Sequence, residues 1–271
     1  DRALAIAAGR SEQTPWLVDT PPVSGDWHYA IAPVEPSGLG LPAPVAVTLN
    51  AQPVPTMIYA DFPITVDGDL AEWRDALAAP PLVITPASGH LHGEPLAGPA
   101  DLSASIRLAR DSERLYVGAL VRDDMRAHRH AWSWMGDGLV LCVGAVRAER
   151  GRYLPRYDLV LNYAAGEPPL GRILEDASGS YPADAKPVAP GSVAVKPTAG
   201  GYVLEAMLPL ASLSAHGLDL NADEWLAVGL SIYDSDQREG ETSRQTALSW
   251  NQRKQLYGAA EAALMRVERY P

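Results

Sequence analysis

"RLYVGALVRDD", residues 114–124, is the stretch on which the fold turns. In an extended chain Leu115, Val117, Ala119 and Val121 point to one face, and Tyr116, Gly118 and Leu120 to the other. Both faces are apolar, so the run predicts a central strand covered on both sides. It ends abruptly in an acidic pair, Asp123 and Asp124.

Similar runs lie on either side: "ASIRLAR" before it, then "GLVLCVGAV", "YDLVLNY", "SVAVK", "GYVLEAMLP", "WLAVGLSIYD", "TALSW" and "ALMRVE". These make about nine runs of strand length in about 210 residues. Helical periodicity is weak; "LAEWRDAL" and "LASLSAHG" could each form a turn or two. The pattern predicts an all-β chain with an antiparallel two-sheet β-sandwich. The 24 prolines and 23 glycines fit many short elements joined by turns.

The segment "NAQPVPTMIYADFP", residues 50–63, has three prolines in fourteen residues and no period. It divides the chain into residues 1–50, a linker at 51–61, and a larger domain at 62–271. Before it, "ALAIAAG", "PWLVDT", "WHYAIAPVE" and "APVAVTL" are short β-like runs, too few for a sandwich of their own.

Charge excludes some partners. With 22 Lys and Arg against 33 Asp and Glu, the formal net charge is −11, which repels a polyphosphate, so no nucleic acid is expected. No apolar run approaches the roughly 18 residues of a membrane span, so no membrane is expected either. The chain starts at Asp1 rather than Met, which suggests a processed or trimmed product. Cys142 is the single cysteine and reads as a small core residue on a buried strand. There is no Gly-x-Ser-x-Gly elbow, phosphate-binding glycine loop or His-Glu-x-x-His motif.

Two features need a structural explanation. Glu205 interrupts the apolar "GYVLEAMLP", where an unpaired charge would cost several kcal/mol, on the order of its desolvation penalty. Arg107, on a strand of similar alternation, is the expected partner, making Glu205 a salt-bridged core carboxylate rather than a general acid. "ITVDGDLAEW", residues 64–73, makes a tight turn at Asp67-Gly68-Asp69 and then offers Leu70 and Trp73. Trp73 reads as a plug at one end of the sandwich.

Asp123, Asp124, Asp137, Asp234 and Asp236 lie in "VRDDM", "MGDG" and "YDSDQ", at strand ends or loops. Oxygen-only donors of this kind suit Ca²⁺. His90 with His92, and His128 with His130, would share a face if extended and could hold Zn²⁺, but "GHLHGE" and "AHRHAW" read as loops without further ligands.

The order of motifs resembles the carbohydrate-binding module family 9-like (DOMON-like) domains. "ITVDGDLAEW" is similar to their opening, "RLYVGALVRDD" to their Leu-Tyr-Val strand, and "WMGDGLVLCV" to their Trp, Asp and apolar strand. "GGYVLEAMLPLASL", "AVGLSIYDSD" and "LSW" follow in the same order. The resemblance implies a jelly-roll-like antiparallel β-sandwich, structural calcium, and a terminal sugar held between two tryptophan rings. Indole faces complement the apolar face of a pyranose, and polar side chains fix its hydroxyls. Trp134 matches the first platform, and Trp132 would share its face. The acid, arginine and glutamine that the family pattern implies are here Val140, Val160 and Ser231. Where the family has a loop with the second tryptophan, this chain runs on from Trp250 through "NQRKQLYG", offering Asn251, Arg253 and Tyr257. The sugar pattern is half lost.

"HYAIAPVEPSGLGLPAPVAVTL" resembles the last two strands of a fibronectin type III domain, with two more strands before it. Three strands would then be missing, to be supplied by an N-terminal catalytic chain or domain. Such pairings imply, by resemblance, a secreted bacterial glycoside hydrolase, placed extracellularly or in the periplasm. Three readings stay open: a non-catalytic region binding a polysaccharide or oligosaccharide, a structural domain docked on a processed glycosidase with its sugar site lost, and a chain contributing to glycoside hydrolysis itself.

Overall fold

The computed structural model describes residues 25–31, 45–51, 55–76, 81–126, 136–145, 156–162, 170–176, 186–187, 193–214, 218–221, 225–236, 246–250 and 263–267. The chain forms two compact units, Asp1–Pro53 and Val54–Pro271. In the first, β1 (Gly25–Ile31) and β2 (Val45–Ala51) pair antiparallel, from Gly25 opposite Ala51 to Ile31 opposite Val45. "ALAIAAG" and "PWLVDT" lie outside the described residues.

The second unit is a β-sandwich. Its elements are β3 (Thr56–Tyr59), α1 (Ala71–Ala76), β4 (Leu82–Ile84), β5 (His90–Gly93), β6 (Leu102–Arg110), β7 (Arg114–Asp123), β8 (Gly138–Ala145), β9 (Arg156–Asn162), β10 (Leu170–Asp176), β11 (Lys186–Pro187), β12 (Val193–Thr198), β13 (Gly201–Pro209), α2 (Leu210–Ser214), β14 (Trp225–Asp234), β15 (Thr246–Trp250) and β16 (Ala263–Val267). One layer runs β11-β10-β9-β8-β14-β16, with β15 on β14 and β5 on β15; the other runs β6-β7-β13-β12, with β4 on β6. Strand β3 joins them, pairing parallel with β16 and with β6. This strand lies within the segment read as a linker. Met57 explains its place: the side chain is fully buried in the main core, an anchor that the flanking prolines conceal.

Alternation fills the space between the layers. Leu139, Leu141 and Val143 of β8 and Leu226, Val228, Leu230 and Ile232 of β14 meet Leu115, Val117, Ala119 and Val121 of β7 and Tyr202, Leu204, Ala206 and Leu208 of β13. Strand β7 is central, as its two apolar faces require: it pairs with β6 on one side and β13 on the other.

Its second face carries the opening motif. Trp73 lies over Gly118, where an added Cβ would sit 2.9 Å from the indole Cε2 and 3.0 Å from Leu70 Cδ2. Trp73 therefore packs on the outer face of this layer, with Ala109 and Tyr116, rather than plugging an end of the sandwich. Glu205 is fully buried beside it, but Arg107 is not its partner. Arg107, Gly118 and Glu205 stand in one row across β6, β7 and β13. Two strand spacings of about 4.8 Å separate the charged pair, and the Trp73 ring sits on the glycine between them. Instead, Glu205 Oε2 accepts the backbone N–H groups of Asp67 at 2.9 Å, Gly68 at 2.6 Å and Asp69 at 3.2 Å. Its Oε1 accepts Trp73 Nε1–H at 2.7 Å. The turn and the indole are thus held by one carboxylate. Gly68, at φ 81°, gives the turn the left-handed backbone it needs.

Candidate functional site

Strand ends of both layers bring aspartates together. Asp123 closes β7 and Asp234 closes β14; Asp137 immediately precedes β8 and Asp101 precedes β6. The hairpin register sets Leu102 opposite Asp123, so Asp101 arrives at the same end. Two sets of oxygens result: Asp123, Asp137 and Asp234, and Asp101, Asp234 and Asp236. Within each set the donor atoms lie within 4.8 Å of one another. Sequence reading did not include Asp101. Counting both strands back from the turn at Asp111–Glu113 would have found it. Asp124 is exposed and belongs to neither set.

The cluster is buried. Asp137 is 0% exposed, Asp234 2%, Asp123 3% and Asp101 8%. Backbone amides fix part of it: Met125 N–H donates to Asp123 Oδ1 at 2.9 Å, Ser235 N–H to Asp137 Oδ1 at 3.0 Å, and Ala97 N–H to Asp101 Oδ2. Asp123 Oδ2 and Asp234 Oδ1 are buried with no hydrogen-bond partner. Burial pushes Asp234 up to about 8, and the charges of Asp236, Asp123, Asp101 and Asp124 push the same way. Burial also raises Asp123, to about 6, against the lowering hydrogen bonds from Asp137 and the Met125 amide. Crowded, dehydrated carboxylates with unanswered oxygens fit a hard divalent cation. A Ca²⁺ ion with Ca–O distances of about 2.3–2.6 Å spans oxygens about 4.6–5.2 Å apart across its shell. Four of its five carboxylates are buried, and Asp236 is half-buried.

A second feature is the outer face of the β8–β14–β15 layer. Val140, Ser231, Ser249 and His90 form one row across β8, β14, β15 and β5. Ser231 and Ser249 share a hydroxyl–hydroxyl hydrogen bond of 2.6 Å. The neighbouring row holds Val160, Gly138, Tyr233, Ala247 and His92. Val140, Cys142, Tyr233 and Ala247 form a small buried cluster here. The positions where resemblance implies an acid, an arginine and a glutamine thus occupy adjacent rows, and Val140 and Ser231 are buried.

Trp250 alternates with Ser249 and is partly buried against the main core. Trp132, Trp134, Asn251, Arg253 and Tyr257 lie outside the described residues, as do His128 and His130. His90 and His92 are on a strand, β5, rather than a loop, because they pair with Ser249 and Ala247 at the sheet edge. Among the described residues, only aspartates form groups able to hold a metal.

The family model described as carbohydrate family 9 binding domain-like matches residues 84–257. The chain belongs to this family. The matched stretch contains both aspartate sets and both outer-face rows of the family 9-like domain. Similar solved structures include a carbohydrate binding module family 9 from Caldicellulosiruptor kristjanssonii in complex with cellotriose, at 12% identity and a TM-score of 0.49, covering 80% of this chain and 94% of that one. The same description applies to a glucose complex, at 11% identity and a TM-score of 0.48, covering 80% and 96%. A search of curated proteins finds no match. Among the described residues, no helix of the family 9-like chain is long and apolar enough to cross a membrane.

Proposed function

We propose that the chain is a non-catalytic, carbohydrate-binding region of a secreted glycoside hydrolase, acting outside the cell or in the periplasm. The observation that carries this reading is the family match over residues 84–257. Trp132 and Trp134 are the proposed sugar platform, with Trp250, Asn251, Arg253 and Tyr257 as further candidates. Aromatic faces give stacking area, and the amide and guanidinium groups give direction to hydroxyls. Calcium is the proposed structural cation, held by Asp101, Asp123, Asp137, Asp234 and Asp236. The buried, unanswered oxygens of Asp123 and Asp234 support it. Its chemistry there is cross-linking of strand ends from two layers, not bond cleavage. Asp124 remains a candidate ligand from its place beside Asp123.

The hairpin of β1 and β2 fits the last strands of a fibronectin type III-like domain, whose remaining strands an N-terminal catalytic chain or domain would supply. One observation favours a second reading, a domain that docks on a glycosidase and has lost its sugar site. Val140 and Ser231, at positions where resemblance implies polar sugar contacts, are buried.

Affinity electrophoresis on xylan, glucans and galactans, with cellotriose and glucose as soluble competitors, separates the readings. Retardation that Trp134→Ala abolishes supports sugar binding. Unretarded migration on every glycan supports docking, and release of reducing sugar by the purified chain would support the hydrolytic reading.

A further inference from the structure

We propose that the outer face of the β4-β6-β7-β13-β12 layer binds an acidic polysaccharide, one whose sugar units carry carboxylates. This rests on the carbohydrate reading above and adds a second face, on the layer opposite the family's sugar positions. Register sets Val83, Ser105, Leu120, Val203 and Lys196 in one row across the five strands. Three large apolar side chains are exposed among the described residues, and two stand in this row: Val83 at 54% and Leu120 at 42%. Val203 is half-buried beside Leu120. The opening motif stops short of them, since Trp73 and Leu70 pack on Gly118, one position back on the same face of β7.

Cations flank the row. Lys196 ends it, two strand spacings or about 10 Å beyond Leu120. Arg107 and Arg122 belong to the rows on either side, each about 7 Å away along the strands. Arg122 and Lys196 are exposed; Arg107 is half-buried, with its Nε enclosed and without a hydrogen-bond partner. Among the described residues, none of the three makes an ion pair, not even Arg122 with the exposed Asp124 past the end of β7. The acids of the adjoining turn are engaged locally: Asp67 Oδ1 accepts the Asp69 amide, and Asp69 Oδ1 the Ala71 amide. In a chain with 33 acids to 22 bases, three unpaired cations around one exposed apolar row call for an acid from outside.

Size and charge select the occupant. From Val83 to Val203 the apolar strip is about 14 Å long and one residue wide. Such a strip offers far less than the roughly 800 Å² per partner of a stable protein interface. A second copy is disfavoured too, because two such faces laid together would oppose cation to cation. A saccharide chain answers both features. The apolar face of a pyranose covers the aliphatic side chains, and its carboxylates meet the cations, guanidinium forks pairing with them through two parallel N–H···O bonds.

The test is calorimetry of the full chain, in chelator so that calcium cannot bridge carboxylates to the aspartates. Carboxymethyl cellulose and polygalacturonate are titrated beside neutral hydroxyethyl cellulose, with polyglutamate as a carboxylate polymer without sugar. Both acidic polysaccharides should bind more tightly than the neutral polymer and polyglutamate, and salt should weaken them. Combining Arg122→Glu with Lys196→Glu should lower that affinity about tenfold or more, and Leu120→Ser should lower it as well. Near-ultraviolet circular dichroism checks each fold, and the single substitutions serve if the double variant is not folded. Equal affinity for acidic and neutral polymers, equal affinity for polyglutamate, or acidic binding that the double variant retains overturns the proposal. So does a dimer in sedimentation that Leu120→Ser dissolves. Retardation on neutral glycans that the double variant keeps belongs to the tryptophan platform, so the two readings can fail separately.

Discussion

At Glu205, four donors converge on one buried carboxylate, three from a turn and one from an indole. Removing the acceptor would leave Trp73 Nε1–H and the Gly68 amide buried without partners. Glu205→Ala is therefore expected to cost about 3–5 kcal/mol in urea unfolding, as expected for breaking a buried charged network from one side. Glu205→Gln keeps one acceptor oxygen and should cost less. A loss below about 1 kcal/mol for Glu205→Ala would mean that the turn is held by other contacts. The sequence made the buried charge visible but not its partner. Arg107 has the right alternation and even the right row; what excludes it is the lateral order of strands, which puts β7 and the Trp73 ring between them. Asp101 was missed for a related reason. One aspartate after a Gly-Pro turn is unremarkable until register counting sets it beside Asp123.

Among the elements, the close packing of the opening segment on β7 is concentrated at Gly118. A methyl group there would meet Trp73 and Leu70 at 2.9 and 3.0 Å. Gly118→Ala should destabilise by about 1–3 kcal/mol through overpacking, measured by the same unfolding titration, with a shift in Trp73 fluorescence. Gly201 is stricter. It opens β13 at φ 136°, and an added Cβ would lie 2.1 Å from the Val121 carbonyl oxygen. Backbone cannot move aside as a side chain can, so Gly201→Ala should lower the thermal midpoint further than Gly118→Ala does. Strands with long apolar alternation, such as β7, β8, β13 and β14, were legible because both faces or one clear face must be buried. Strand β3 was hidden by the prolines around Met57, and β5 by its polar "HLHG". Edge pairing to β15, not its own hydrophobicity, makes β5 a strand.

Across the whole molecule, the aspartate cluster ties stability to pH and, on the calcium proposal, to the cation as well. In the chelated chain, Asp234 and Asp123 titrate near 8 and 6, above the ordinary 3.8. Between about pH 4 and 8 the folded state then holds protons that the unfolded chain has released, so stability falls as pH rises through that window. The thermal midpoint in chelator should accordingly drop from about pH 5 to about pH 8, and calcium should restore it most at the higher pH. A midpoint in chelator that rises over that interval would contradict the burial of these groups. The fold-level reading was recoverable because motif order survives where single residues of the family pattern differ. The site-level reading was not, since Val140 and Ser231 reveal what is absent from a family pattern rather than what is bound in its place.

Glycan binding is the central claim, and native affinity electrophoresis in gels cast with xylan, glucan or galactan tests it most directly. The chain should be slowed in at least one gel, and Trp134→Ala should migrate as in a glycan-free gel. Equal mobility of the unaltered chain with and without every glycan would contradict the account.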